Sequence, residues 1–498
     1  MPIVLPYDIW CLIATFIPKS ALSKLYGVNS AFFNILMNEA YREVNIYHVG
    51  DERTRRCLMN MSPTIAKRVQ TLTLRPHLLP PVDSRKPATF FTEKLRNYIR
   101  QAGKPMKPST NSVPQTLLRH ITHMTEVASL TIGCYPSDDV QLFSKATSFV
   151  HTAFSTHGSR LLSLTLAIPL EAYSNVLHST AVFGSLEELE ITLRVAYATT
   201  DYQKILPLIA TFVNQHSGTL KSLSVDTPEA MVDPFQLFSN LHNLPRLRKL
   251  CICHPLDRLR PNCPTGIESF LIQHAELLKD FRIRFVGPFK DDPLPSPDDF
   301  FLHPILQAQL PNLATLDLGL CQWPKVHKKS VGDNIARYLR PLRKSLSRLA
   351  VRDYVLTFPE VESLVTVFSC RESRLRSLEM HMYFLSCDLL DLLYKHLPDL
   401  YHLELRFDSL LSQDDGTWIA NYYWNGYDVT SAFVRDMADR HYADWALRHF
   451  TVQPLYYCSG RWNECRTLLA AALPSVLTFN GLSGDQFSYI PDFTRPDI

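Results

Sequence analysis

The densest group of metal-ligating residue types in the chain is Cys251-x-Cys253-His254, with Cys263 further on. A zinc site closes with two separated ligand pairs, and here the second pair is missing. Cys251 and Cys253 alternate with Leu250 and Ile252, so both are expected on the outer face of a strand, as thiols rather than metal ligands. Acid–base chemistry has no better candidate. The pairs Asp138-Asp139, Asp291-Asp292, Asp298-Asp299 and Asp414-Asp415 fall at helix starts or in loops, where carboxylates serve as caps or stay solvated. The chain has no glycine loop for phosphate, no His-Glu-x-x-His and no Gly-x-Ser-x-Gly. Only 16 glycines stand against 34 prolines, which suits a chain of many short elements. The expectation is a protein with no catalytic residues, no metal and no cofactor, which works by binding.

The residues available for binding follow from a repeat. An apolar residue, two others and then Leu-x-Leu or its equivalent recur eleven times, from Val69/Leu72/Leu74 and Val127/Leu130/Ile132 to Leu375/Leu378/Met380 and Leu400/Leu403/Leu405. After a first interval of 58 residues, the copies are spaced 25 to 35 residues apart. Apolar residues two apart share one face of a strand, and stretches of helical period lie between copies, as at Tyr202–Val213 and Val361–Phe368. One strand and one helix cannot cover their own apolar faces, whereas stacked copies form a continuous core. The pattern resembles the leucine-rich-repeat solenoid, an α/β fold with a parallel concave sheet and convex helices. The family's turn asparagine is absent from these copies, so irregular turns are expected.

In such a fold the residues flanking each core pair form the concave face. Early strands offer hydroxyls such as Thr71, Thr73, Ser129, Thr131, Ser163 and Thr165. Charged positions follow: Glu188, Glu190, Arg282, Arg284, Asp317, Arg348, Arg352, Glu379, Glu404 and Arg406. These ten are the candidate substrate-binding residues, and their alternating sign favours a specific protein partner. Two segments break the rhythm. Residues 76–115 carry seven prolines with seven basic and two acidic residues, and read as a solvated loop or a partner-binding patch. Residues 408–475 hold Trp418, Tyr422, Tyr423, Trp424, Tyr427 and Trp445, as a cap on the array or an aromatic platform. Helices are expected from about Ser431 to Phe450 and from Trp462 to Leu473, then a strand at Val476–Phe479 and a polar tail over 481–498.

Residues 3–47 differ in kind. Leu5-Pro6-Tyr7-Asp8-Ile9 opens a helix with a proline in its first turn, and Ile9, Trp10, Ile13, Phe16 and Ile17 continue at helical spacing. Ser20 is placed to cap a second helix bearing Leu22, Leu25 and Val28, and a third carries Phe32, Phe33 and Leu36. Leu-Pro-x-Asp-Ile, Val28-Asn29-Ser30, Phe32-Phe33 and Tyr41-Arg42-Glu43-Val44 resemble the F-box motif in order and spacing, with Tyr41 where that family often has Trp. The resemblance implies a substrate-recognition subunit of a Skp–cullin–F-box ubiquitin ligase. It further implies that Leu5, Pro6, Ile9, Ile13, Leu22, Leu25 and Val28 supply the contacts to a Skp-type adaptor or the local core. The domain plan is then the F-box at 3–47, a linker helix region at 48–68 and repeats at 69–480 holding a protein substrate. The alternative is a repeat scaffold that binds proteins without any link to ubiquitin.

Length and composition agree. The chain has 498 residues, 46% hydrophobic and 20% charged, which is ordinary globular protein. The net charge of +3 is no nucleic-acid footprint, although residues 1–120 hold 17 basic against 7 acidic residues. Eleven scattered cysteines, an odd number, favour a reducing compartment over a disulfide scaffold. No apolar run approaches the ~20 residues that span a bilayer, and Ile9–Ile17 lacks the basic start and cleavage site of a signal peptide. An intracellular protein is expected, cytoplasmic or nuclear, with no nucleic acid or membrane as partner.

Overall fold

A strand that is apolar on one side only stays marginal until that side is covered. In the computed structural model of the protein all eleven motif copies lie in β-strands, and four further strands accompany them. The structure describes residues 5–47, 61–79, 112–134, 143–144, 146–177, 183–196, 201–228, 232–255, 266–286, 296–320, 328–410, 426–455 and 462–483. The chain divides into two units, Met1–Arg246 and Leu247–Ile498. Each is an α/β leucine-rich-repeat solenoid.

In the first unit strands β1 (Glu43–Ile46), β2 (Thr71–Leu74), β3 (Ser129–Gly133), β4 (Ser163–Ala167), β5 (Glu188–Thr192) and β6 (Ser222–Asp226) lie side by side in chain order, all parallel. The register puts Val44, Leu72, Leu130, Leu164, Leu189 and Leu223 in one row across the sheet. Every member of that row is buried. A fully buried leucine is worth about 1.5–3 kcal/mol, so the row is the spine of the unit. Helices such as Thr147–His157 and Leu206–Gln215 lay Phe149, Phe154, Ile209 and Val213 against it. The opposite sheet face stays open, because between the core residues each strand alternates to exposed or half-exposed ones.

Histidine closes several of these helices. His157 ends Thr147–His157, His216 follows Leu206–Gln215, and each stands four residues before the leucine that opens the next motif, Leu161 and Leu220. His157 is 1% exposed, its two ring nitrogens have no hydrogen-bond partner, and burial pushes its pKa down to about 4. The sign follows. Above the unfolded value of about 6.5 both states are neutral; as pH falls towards 4 the unfolded chain takes a proton that the folded chain refuses. Stability is therefore lost over that window, by up to about 3 kcal/mol from this one residue. Replacing His157 with Phe should flatten the fall in melting temperature between pH 7 and pH 4.5. An unchanged pH profile in the variant would refute the assignment.

The second unit continues the pattern with β7 (Lys249–Pro255), β8 (Asp280–Val286), β9 (Thr315–Gly319), β10 (Arg348–Leu356), β11 (Ser377–Leu385), β12 (His402–Leu410), β13 (His449–Pro454), β14 (Thr478–Phe479) and β15 (Leu482–Ser483). Strands β7 to β14 are parallel, and Leu250, Phe281, Leu316, Leu349, Leu378, Leu403, Phe450 and Phe479 form their buried row. Strand β15 is antiparallel to β14. The two join through Asn480 (φ 51) and Gly481 (φ 77), both left-handed, as a tight two-residue hairpin requires. Asn480 also accepts a hydrogen bond from the Val452 amide on β13 through its Oδ1 (2.7 Å).

Several sequence expectations are corrected. The helix expected from Ser431 to Phe450 is Gly426–Ala438, and His449–Pro454 is a strand carrying an uncounted twelfth motif, Leu447/Phe450/Val452. The second N-terminal helix is a single turn, Lys19–Leu22, so Ser20 lies inside it rather than capping it. The Val44 end of the F-box-like segment belongs to β1 and pairs with the first motif strand. The polar tail begins with the hairpin strand β15. Residues 80–111 of the proline-rich segment, residues Trp418 to Trp424 and Cys263 lie outside the described residues. Trp445 is interior, 1% exposed, and its indole N–H donates to the Leu397 carbonyl (2.9 Å). Among the described residues no helix is long and apolar enough to cross a membrane.

Candidate functional site

Two surfaces could bind partners: the N-terminal helices and the open faces of the sheets. The helices are α1 (Tyr7–Thr15), α2 (Lys19–Leu22) and α3 (Ser30–Tyr41). Asn29 caps α3, its Oδ1 accepting from the Phe32 amide at 2.8 Å. Ala14, Leu22 and Phe32 make a small core, with Trp10, Ile13, Ile17, Leu25, Ile35 and Leu36 packed around it. The Trp10 and Phe32 rings meet edge-on, centroids 5.1 Å apart. Arg68, just beyond the turn Pro63–Ala66, donates to the backbone carbonyl (3.3 Å) and side-chain oxygen (2.8 Å) of Asn34, tying α3 to the first repeat.

That core uses one side of α1. The other side is also apolar: Ile9, Leu12 and Phe16, at i, i+3 and i+7, are 37%, 56% and 81% exposed. Tyr26 (64%) and Val28 (63%), after α2, are equally open. A helix apolar all round belongs in an interior, and here only half of it has one. Of the seven residues expected to meet an adaptor, Pro6, Ile9 and Val28 are exposed and Leu5 is half-buried. Leu22 is interior, and Ile13 and Leu25 pack on the same core. Leu12, Phe16 and Tyr26 also belong to the exposed surface, the first two with a legible signal in the helical spacing of α1.

The open sheet faces differ between units. Among the described residues of β1–β6 there is no Lys or Arg. Hydroxyls line the middle strands, Glu43 stands on β1, and Glu188 and Glu190 project from β5. In the second unit the charges pair with one another. Arg282 contacts Asp280 (3.2 Å), and Arg352 lies between Asp317 (3.3 Å) and Glu379 (2.6 Å). Arg406 lies between Glu379 (3.7 Å) and Glu404 (2.9 Å). Arg348, at the start of β10, is exposed. The alternating surface expected to read a substrate by charge is largely self-neutralised.

Strand β10 makes this network possible. Its register slips between Val351 and Val355, and Asp353 takes a left-handed backbone (φ 61), the signature of a β-bulge. Within the bulge Arg352 pairs with Asp317 and Glu379, and Asp353 makes a two-pronged pair with Arg284 of β8 (2.9 and 2.8 Å). That pair passes over Gly319 of β9, where a Cβ would sit 2.8 Å from both Arg284 Cγ and Asp353 Oδ2. Burial governs the acids beneath: it raises the Asp317 pKa despite four nearby arginines, and raises that of Glu379, helped by repulsion from Glu404. Sequence reasoning missed Asp280, Gly319 and Asp353. The change of apolar parity from Leu349 and Val351 to Tyr354 and Leu356 is the bulge's mark in the sequence.

Cys251 and Cys253 are half-exposed on β7, while His254 is fully buried on the other face, so these three do not converge on one point. No cluster of three or more metal-ligating side chains occurs among the described residues.

No family model matches the chain, and no curated protein matches its sequence. Among solved structures the chain is similar to one in the yeast complex of Rad7 and Elc1, at 12% identity over 96% of this chain and 93% of that one, with a TM-score of 0.40. It is also similar to an internalin (inlF) from Listeria monocytogenes, at 12% identity over 81% and 98%, with a TM-score of 0.27. Both likenesses are weak, and the fold assignment stands on the strand order and the leucine register.

Proposed function

We propose that the chain is a non-catalytic recognition subunit, in which α1–α3 dock a Skp-type adaptor of a cullin ubiquitin ligase and the repeats hold a protein substrate. One observation carries this reading. A three-helix unit with F-box-like sequence keeps a second apolar stripe, Ile9, Leu12 and Phe16, out in solvent, and leaves Tyr26 and Val28 exposed as well. Exposed apolar groups this dense mark interaction sites, and the three buried residues of the local core show that the unit needs little of that stripe for itself. The chemistry would be proximity: a bound target brought near an activated thioester reacts at raised effective concentration.

Co-purification of the full chain with a Skp-type adaptor tests the reading. The native protein should bind, and Phe16→Asp should weaken binding by roughly 30-fold or more, as loss of a central anchor does. Its melting temperature should stay unchanged, because Phe16 is 81% exposed. A native chain that ignores the adaptor would leave the alternative, a protein-binding scaffold outside ubiquitin chemistry.

A further inference from the structure

The open face of the first unit is chemically unlike that of the second. On β1–β6 the carboxylates Glu43, Glu188, Glu190 and Asp226 meet no Lys or Arg from any described strand residue of the unit. Two cations flanking these strands are engaged elsewhere. The Arg75 guanidinium lies over the Tyr47 ring, 4.6 Å from its centroid, and Arg194 donates to the Cys134 carbonyl. Among the described residues Glu190 receives a single long bond, from Thr165 (3.4 Å) on the neighbouring strand. The second unit, built from the same repeat, sets an arginine against almost every acid on its face. Among the described residues, the strands of unit one carry no cation to match these acids.

The layout suits an extended ligand. The register places Glu43 and Glu188 in one cross-strand row, with Thr71, Ser129 and Ser163 between them. Four strand spacings of ~4.8 Å put the two acids ~19 Å apart, the span of about six residues of extended chain. The floor between them is short hydroxyls, which let a backbone approach closely and can both donate to it and accept from it.

We infer that this face binds an extended lysine- or arginine-rich polypeptide segment crossing the strands, with its cations at Glu43 on one side and at Glu188, Glu190 and Asp226 on the other. The inference rests on the reading of the repeats as a protein-binding surface, and not on docking to an adaptor. It assigns substrate recognition to the first unit and a structural role to the paired charges of the second.

The probe is a labelled peptide with two lysine pairs separated by about five neutral residues, titrated into the full-length protein beside twins carrying glutamine or glutamate for lysine. The lysine peptide should bind, its affinity should fall steeply with added salt, and neither twin should bind. The double variant Glu188→Gln/Glu190→Gln should weaken binding by roughly tenfold, a few-fold per exposed charge. Glu362→Gln, an exposed acid on a helix of the second unit, should change nothing. Equal binding of the lysine peptide to the native protein and the double variant, or equal binding of the glutamine twin, overturns the inference. Adaptor co-purification on the same preparations separates the two readings. Lost peptide binding with intact adaptor binding defeats this inference alone, whereas the reverse defeats the ligase reading and leaves this one standing.

Discussion

Arg352→Ala is expected to destabilise the fold by on the order of 3 kcal/mol at neutral pH, the low end for breaking a buried ion pair. The low end applies because Arg352 keeps 33% of its side chain in solvent, while its partners Asp317 and Glu379 keep only 14% and 7%. Removing the arginine strands two carboxylates that burial already disfavours in their charged form. The loss should therefore depend on pH. Both acids have folded pKa values raised above their unfolded ones, so the folded state takes up protons first as pH falls. Without Arg352 those values rise further, and protonation relieves the strain. Denaturant melts of native and variant proteins at pH 7.5 and pH 5 should show the gap shrinking at the lower pH. The buried histidines are common to both chains and cancel in the difference. A gap of equal size at both pH values would mean that the arginine acts through packing alone.

Glu360→Ala should cost a similar amount, about 3 kcal/mol, for a different reason. Glu360 is 4% exposed at the start of the helix Phe358–Phe368. Its Oε1 accepts from the Tyr354 hydroxyl (2.6 Å), and its Oε2 accepts from the backbone N–H (2.6 Å) and hydroxyl (2.7 Å) of Thr357. The first bond ties the helix to β10, and the others close its first turn. Alanine would leave the fully buried Tyr354 hydroxyl without its acceptor. Glutamine keeps the shape and one acceptor oxygen, so Glu360→Gln should lose no more than about half as much. Chemical denaturation followed by circular dichroism measures both. An alanine variant within 1 kcal/mol of native would remove the hydrogen-bonded node from the account. Gly332 belongs to the same node, because a Cβ there would lie 2.9 Å from the Glu360 Cα, so the neighbouring helix must stay bare at that point.

The ladder was legible because its cause is local. Two apolar residues on one side of a strand and a third before them are visible in any single copy, and repetition removed the doubt. Strand β13 escaped because Leu447 and Phe450 are three apart and fit a helical period as well as a strand. The N-terminal unit was legible as three apolar helical stretches, but not which side of α1 it would bury; that depends on Phe32 arriving from α3 against Trp10. The charged face was legible as composition and not as arrangement. Whether Arg352 meets Asp317 or solvent is decided by the three extra residues of β10 and by the missing side chain at Gly319, two features that act between strands about 30 residues apart.

The Asn480–Gly481 reversal has a bearing on how such an array can change length. Each strand–helix unit delivers its strand parallel to the last, but beyond β14 the available edge runs the opposite way. A duplicated repeat appended there would have to pair antiparallel with β15, with a hydrogen-bond pattern unlike the parallel one that joins the earlier copies. A copy gained or lost upstream of that reversal leaves the parallel pattern intact, so length variation among descendants of this chain is expected inside the array.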